Sequence, residues 1–246
     1  MFTLTSLCCL LALAAAAPAE KEVEAADTLT YGVDFVDEID SRHVTCFRNL
    51  NYNLVLVRIY NGGVDEVGFR NLDTVYKTLT VQLVVVPELN GAKTATYQVN
   101  EILDAAKAKG WDIKGIWLQI TSPLSWDKST ARNVYFIQEF VREANAKGVK
   151  INYYTNWYDY KVITGNSRLI ATGSLWYWNV LGSGEGAQTP SNFNDFRAFG
   201  PFRSALFKQY GQDKYVCGTY VNQDVYVTSS LQGKPENGVE FVGKKE

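Results

Sequence analysis

The sequence is poor in the residues that carry most metal and acyl-transfer chemistry. Its 246 residues include one histidine, four cysteines and one methionine. A Ser-His-Asp or Cys-His site would have to use His43, and a histidine-rich metal site is excluded. We therefore expect neither a metal ion nor a cofactor, and we expect His43 to be structural or exposed.

An excess of positive charge is also absent. The chain has 24 Lys and Arg residues against 26 Asp and Glu residues, with a formal net charge of −2 and no basic stripe. Because a nucleic-acid partner requires clustered cations to neutralise its phosphates, we do not expect the protein to bind nucleic acid.

Apolar runs long enough to span a bilayer are missing as well. Residues 4–17 are apolar but too short, and the small residues Ala17-Pro18-Ala19 at their end fit a cleavage site. We predict that residues 1–19 are a signal peptide. The mature protein is then expected to be a monomer free of the membrane, secreted to the extracellular space, a gut lumen or a lysosome-related compartment.

Few cysteines remain once that segment is removed. Cys8 and Cys9 leave with it, so the mature chain keeps Cys46 and Cys217. An even pair in an oxidising compartment favours one disulfide that joins the two ends of the domain. A reactive thiol is the alternative.

Apolar and aromatic residues are plentiful, at 46% and 13% of the chain, which is enough for one sizeable core. Apolar runs predict strands at 29–36, 54–60, 79–86, 115–120, 149–155, 175–181, 206–210 and 220–227. Periodic apolar stripes predict helices near 64–78, 99–109 and 130–147. Strand–helix alternation indicates a parallel sheet, and the absence of predicted helices after the late strands favours an irregular TIM-like β/α barrel. We assign the barrel to residues 20–228 and a polar tail to 229–246.

The strand that begins at Gly115 is the centre of the predicted site. Side chains alternate along a strand, so Trp117, Gln119 and Thr121 share one face and approach its C-terminal end together. That end is where chemistry occurs in a parallel barrel. Neither Gln119 nor Thr121 can hold a negative charge or give up a proton near neutral pH.

Amides, carboxylates and aromatic rings are expected together at this end of the barrel. The polar set is Asp34, Glu88, Gln119, Thr121, Asn156, Asn179, Gln209, Asn222 and Asp224, and the aromatic set is Trp117, Tyr154, Trp157, Trp176, Trp178 and Tyr210. Sugar hydroxyls exchange hydrogen bonds with amides, and pyranose rings pack on aromatic faces. Any single ring is more simply barrel packing, but the collection favours a carbohydrate site.

Short motifs spread over residues 31 to 227 carry a family resemblance. They are Tyr31-Gly32-Val33-Asp34, Val57-Arg58-Ile59-Tyr60, Gly115-Ile116-Trp117-Leu118, Tyr153-Tyr154-Thr155, Leu175-Trp176-Tyr177, Phe207-Lys208-Gln209-Tyr210-Gly211 and Cys217-Gly218. In this order and spacing the chain resembles the nematode and protist branch of glycoside hydrolase family 25, lysozymes with an irregular β/α barrel. The resemblance implies bacterial cell-wall glycan as the partner and a role in innate defence.

The family's site places an Asp on the first strand, an Asp-x-Glu on a middle strand and an Asp on the last strand. Matched by position, the first is Asp34, the Asp-x-Glu falls on Gln119-Ile120-Thr121, and the last falls on Asn222. Glycosidic cleavage needs a proton donor and a second carboxylate. The resemblance therefore implies lost muramidase activity with retained sugar contacts, which we assign to Trp117, Gln119, Thr121, Tyr154, Trp176, Gln209 and Asp224.

Two other functions stay open. Asp34 could form a relocated catalytic pair with Glu88 or Asp224, if the carboxyl groups lie roughly 5–10 Å apart. More simply, Glu88 lies in a solvated turn, Asp224 caps an edge, and Asp34 pairs with Arg58 or holds a loop. A non-catalytic protein-interaction module is the second alternative.

Overall fold

Eight strands close into a barrel in the computed structural model, which describes residues 28–170, 173–228 and 242–244. The strands are β1 (Leu29–Phe35), β2 (Tyr52–Asn61), β3 (Thr80–Val86), β5 (Gly115–Gln119), β6 (Lys150–Thr155), β7 (Leu175–Trp178), β8 (Phe207–Val216) and β9 (Thr219–Val227). Neighbours from β1 to β8 pair in parallel, whereas β9 runs antiparallel to both β8 and β1 and closes the ring. The predicted irregular β/α barrel is confirmed.

Helices cover the early and middle part of the barrel. They are α1 (Ser41–Asn49), α2 (Glu66–Val75), α3 (Ala95–Ala108), α4 (Thr130–Ala146) and α5 (Trp157–Thr164), with a 3₁₀ turn at Pro123–Ser125. Ser129 caps α4 as the sequence predicts. The connection from β7 to β8 has no helix, and its Phe196, Phe199 and Phe202 pack on Tyr160 and Tyr177 instead.

Two helices were not predicted from the sequence, because both are short and depend on their caps. α1 begins at Asp40, whose carboxylate accepts from the backbone of Arg42 and His43. His43, expected to be structural or exposed, is structural through its 2.7 Å contact with that carboxylate. α5 starts directly after β6 on an Asn156 cap.

The ends of the chain lie mostly outside the described residues. The predicted signal peptide at 1–19 and most of the predicted tail at 229–246 fall there. Within the tail, Gly243–Lys244 (β10) pairs with Trp111–Asp112 (β4), and Val242 is buried. This part of the tail is therefore docked on the fold. Within the described parts of the chain, no helix is long and apolar enough to cross a membrane.

The predicted disulfide is confirmed. Cys46 in α1 bonds to Cys217, at the turn between β8 and β9, with the two Cα atoms 5.8 Å apart. The bond fastens the first helix of the domain to its last hairpin across a separation of 171 residues.

Gly68 lies inside α2, where a glycine weakens the sequence prediction of a helix. A Cβ atom at this position would lie 1.7 Å from the backbone oxygen of Arg58 in β2. The missing side chain lets α2 pack directly on the barrel wall, and the carboxylate of Asp65 caps the same turn through the Gly68 N–H.

We expect Gly68→Ala to lower the free energy of unfolding by about 1–3 kcal/mol or more, because the added methyl must displace backbone. The matched control is Gly63→Ala, whose Cβ would find only the Lys93 ammonium at 3.9 Å. Urea denaturation of both variants measures the difference. Equal stability of the two variants would contradict close packing of α2 on β2.

Candidate active site

An aromatic floor fills the barrel below its C-terminal mouth. Trp117 is fully buried, donates its indole N–H to Gln82 at 3.0 Å, and meets Trp176 and Phe207 edge-on. Tyr154 stacks on Trp176 with ring centroids 3.9 Å apart. Trp117, predicted as a sugar contact, therefore lies beneath the mouth and does not line it. Tyr154 and Trp176 do line the mouth.

Asp34 is the carboxylate at the centre of the mouth. One of its oxygens accepts from the Asn222 amide at 2.8 Å and the other from the Gln209 amide at 2.6 Å. Gln209 is fixed in turn by the Tyr154 hydroxyl, which donates to its oxygen at 2.9 Å. Burial raises the pKa of Asp34 to about 6, although the hydrogen bonds from Asn222 and Gln209 oppose the shift.

Asp224 lies one layer below and is fully buried. One oxygen accepts from the Trp176 indole at 2.8 Å. Within the described residues the other oxygen has no hydrogen-bond partner, and the strand register places Asp224 next to Asp34 on neighbouring strands. Burial and the adjacent Asp34 charge raise the pKa of Asp224 well above its usual value.

The relation between these two acids bears on the relocated-pair hypothesis. Two adjacent buried carboxyl groups leave no room for a glycosidic bond between them, since retaining and inverting enzymes hold theirs roughly 5–10 Å apart. We call Asp34 and Asp224 the acid dyad. That geometry does not fit an acid and a nucleophile on opposite sides of a substrate.

Arg58 does not pair with Asp34, contrary to one simple expectation. Its guanidinium donates to Asp65 at 2.8 Å, although Arg58 still lines the mouth. Asp34 is thus held by amides and by Asp224 without a cationic partner, which is consistent with its raised pKa.

The end of β5 presents an uncharged pair. The amide of Gln119 donates to the Thr121 hydroxyl at 2.7 Å, and both side chains are partly exposed. The Trp126 indole fixes the turn by donating to the Thr121 carbonyl at 2.9 Å. Gln119 lines two cavities of the mouth and Thr121 lines one of them, and the two residues offer hydrogen bonds but no acid.

Glu88 lines the same mouth, but its carboxylate accepts hydrogen bonds from the backbone of its own loop. One oxygen accepts from the backbone of Asn90 at 2.5 Å and the other from the backbone of Lys93 at 3.0 Å. The simpler expectation for Glu88, a turn residue, matches these contacts. Its carboxylate nevertheless borders the cavity that contains Gln119 and Thr121.

The mouth forms one elongated groove. A cavity of 290 Å³ at Asp34 shares Asn61, Val86 and Gln119 with a neighbouring cavity of 400 Å³. That second cavity shares Glu88, Leu89 and Trp126 with a third, of 480 Å³, between the loop that follows β3 and the first turns of α4. The described residues form no cluster of His, Cys, Asp and Glu able to hold a metal ion.

Asp159 is a buried carboxylate near the mouth that sequence reasoning missed. Burial raises its pKa, against hydrogen bonds from the Trp178 indole and the Ser122 backbone. It lies on α5, the helix that carries no strong apolar stripe, so no sequence signal marked it.

The barrel and its mouth define a lysozyme-type β/α barrel of the glycoside hydrolase family 25 class. A family GH25 lysozyme from Aspergillus fumigatus shares the fold with a TM-score of 0.60 at 14% identity, over 85% of this chain and 96% of that one. A modular autolysin from Streptococcus pneumoniae also matches, with a TM-score of 0.59 at 13% identity, over 80% of this chain and 46% of that one.

Sequence similarity identifies the family of this chain within that class of barrel. The family described as Lysozyme-like protein 1 matches residues 25–210. Lysozyme-like protein 7 of Caenorhabditis elegans is 33% identical over 220 residues, which is 87% of this chain and 78% of that protein. The chain therefore belongs to the lysozyme-like protein family, and the resemblance to family 25 lysozymes found in its motifs is confirmed.

The acid dyad generates a pH prediction. Because folding raises the pKa of Asp34 to about 6 and that of Asp224 as well, the folded state binds protons more tightly than the unfolded state. The resulting stability is fully present below about pH 4, the pKa of a free aspartate, and is lost as pH rises through about 6. We expect Asp224→Asn to stabilise the fold at pH 8 and to have little effect at pH 4.

Chemical denaturation at both pH values measures this effect. Asp104→Asn, which removes an exposed carboxylate on α3, is the control and should leave the pH dependence unchanged. A wild-type stability that stays flat or rises between pH 5 and 8, with no gain from Asp224→Asn, would contradict the dyad.

Proposed function

We propose that this chain is a secreted lysozyme-like protein that binds bacterial cell-wall glycan in the mouth groove without cleaving it, with a role in innate defence. The observation that carries the proposal is the hydrogen-bonded Gln119–Thr121 pair at the end of β5. An amide and a hydroxyl occupy the place where the family resemblance puts two carboxylic acids.

The chemistry of hydrolysis supports an inactive site. General acid catalysis contributes typically about 10²–10⁴-fold, and a second carboxylate must stabilise or trap the oxocarbenium-like centre. Asp34 has a pKa of about 6 and could hold a proton, but its carboxyl neighbour Asp224 touches it from below. Glu88 is bound by two backbone amides of its own loop. Neither Asp224 nor Glu88 is therefore free of other contacts opposite Asp34.

The groove supports retained binding. Gln119, Thr121 and Asn222 offer amide and hydroxyl groups along its wall, and the Tyr154–Trp176 stack forms an apolar floor. Three connected cavities suit an extended chain better than a compact ligand. The matched S. pneumoniae autolysin was solved in complex with a synthetic peptidoglycan ligand, which favours the same class of ligand here.

Secretion rests on separate support. The domain holds a disulfide, and such bonds persist in oxidising compartments. The apolar run at residues 4–17 with its small-residue end supplies a signal peptide.

One observation favours an active enzyme as the second candidate. Asp34 is protonated more readily than an ordinary aspartate, as a general acid should be, and Glu88 borders the adjoining part of the groove. A glycosidase that uses Asp34 with Glu88 would still cleave cell walls. It would lose that activity on Asp34→Asn.

The first test is co-sedimentation with insoluble peptidoglycan beside release of reducing ends from the same material. We expect binding without hydrolysis, and about a 2–10-fold weaker binding for Gln119→Ala, the range for one lost hydrogen bond. Asn53→Ala is the control, because Asn53 lies near the start of β2, at the opposite end of the barrel.

The outcomes separate the three functions. Hydrolysis by the wild type that disappears in Asp34→Asn and in Glu88→Gln would establish the relocated pair and overturn the binding-only proposal. Absence of glycan binding in a folded protein would favour a protein-interaction module. Binding that Gln119→Ala leaves intact would move the glycan away from the groove.

A further inference from the structure

A separate cavity, which we call the rim cavity, lies on the rim of the barrel, beyond the ends of β6 and β7. It has a volume of 420 Å³ and shares no lining residue with the three cavities of the mouth groove. Its wall combines aromatic rings with amides and one arginine, namely Trp157, Tyr177, Trp178, Asn156, Asn179 and Arg197. The proposed function of the groove does not use this cavity.

Two tryptophans give the cavity faces on which a sugar ring can pack. Trp157 is 59% exposed at the start of α5, so its ring is accessible from solvent. Trp178 is partly buried and lies beside the buried carboxylate of Asp159. The Trp157 ring is thus open, and the Trp178 ring is backed by a buried group.

The opposite wall belongs to the helix-free connection between β7 and β8, and one buried lysine holds it. Lys208 is fully buried, and its ammonium donates to the backbone of Pro190 and Asn192 and to the Asp195 carboxylate at 2.8–3.0 Å. Asp195 also accepts from the Tyr177 hydroxyl at 2.6 Å. These contacts fix the wall of the cavity through protein groups alone.

Arg197 is the charged lining residue of the cavity that has no ion-pair partner among the described residues. The lining carboxylate, Asp195, is paired with the buried Lys208. Arg197 is exposed and donates through one nitrogen to the backbone of Asn194 and Phe196. Among the described residues no carboxylate forms an ion pair with its guanidinium, so Arg197 has donors left for an anion.

We propose that this rim cavity binds a pyranose that carries a carboxylate, with the ring against Trp157 and Trp178 and the carboxylate on Arg197. The proposal deepens the proposed function, on which it rests for the class of ligand. Muramic acid has a lactyl carboxylate that is free in the monosaccharide and in glycan strands without stem peptides, whereas glucosamine has none. A uronic acid has the same two features and is the other source of this chemistry.

The test titrates the disulfide-bonded mature protein with N-acetylmuramic acid, N-acetylglucosamine and glucuronic acid, followed by NMR or by tryptophan fluorescence. The wild type should bind at least one acidic sugar more tightly than N-acetylglucosamine. Arg197→Gln should weaken the acidic sugar about tenfold, as expected for a lost charged hydrogen bond, and leave N-acetylglucosamine unchanged. Trp157→Ala should weaken every sugar.

The controls separate this site from the groove. Arg203→Gln removes a neighbouring exposed arginine outside the cavity and should bind like the wild type. Gln119→Ala should weaken polymer binding in the groove but not the acidic monosaccharide at the rim, so either site can fail alone. Preference for N-acetylmuramic acid assigns the site to cell-wall glycan, and preference for glucuronic acid assigns it to uronic-acid polymers.

Two results would overturn the proposal. One is equal affinity of the wild type for acidic and neutral sugars. The other is an unchanged affinity of Arg197→Gln for the acidic sugar, with its fold intact by circular dichroism.

Discussion

The contact between Asp34 and Asp224 is the constraint on which the mouth of the barrel depends. Two carboxyl groups buried side by side are tolerated only when one keeps its proton and the rest of their oxygens find donors. Asn222, Gln209 and the Trp176 indole supply those donors from three different strands. The dyad therefore ties β1 to β7, β8 and β9, which is the part of the ring that no helix covers.

The antiparallel strand makes this arrangement possible. β9 runs against β1 in a register that places Asn222 beside Asp34 and Asp224 beside Gly32. Both side chains point into the barrel from one face, one at the mouth and one a layer deeper. Gly32 has no side chain, and a Cβ atom there would already lie 3.0 Å from the Leu54 carbonyl. β1 and β2 therefore approach each other closely at Gly32, which lies at the same level of the barrel as Asp224.

Much of this architecture can be predicted from the sequence, because parallel barrel strands appear as near-continuous apolar runs. The three longest helices follow from periodic apolar stripes, and the disulfide follows from the two cysteines that remain after residue 19. α1 and α5 could not be predicted, since each depends on a single cap residue that competes with the loop alternative. The dyad and its amides were also beyond sequence reasoning in detail. Gln209 is 175 residues from Asp34, and their 2.6 Å contact exists only once the ring has closed in register.

The uncharged Gln119–Thr121 pair at the end of β5 has a physical consequence for Asp34. Each further carboxylate in a low-dielectric mouth would raise the free energy of ionising Asp34, whose pKa already stands near 6. An amide and a hydroxyl that bond to one another add no such repulsion. The same exchange leaves a wall of uncharged donors and acceptors, suited to sugar hydroxyls at any physiological pH. Under the proposed function, one acid at the centre of the mouth and neutral groups around it favour holding a glycan over breaking its bond.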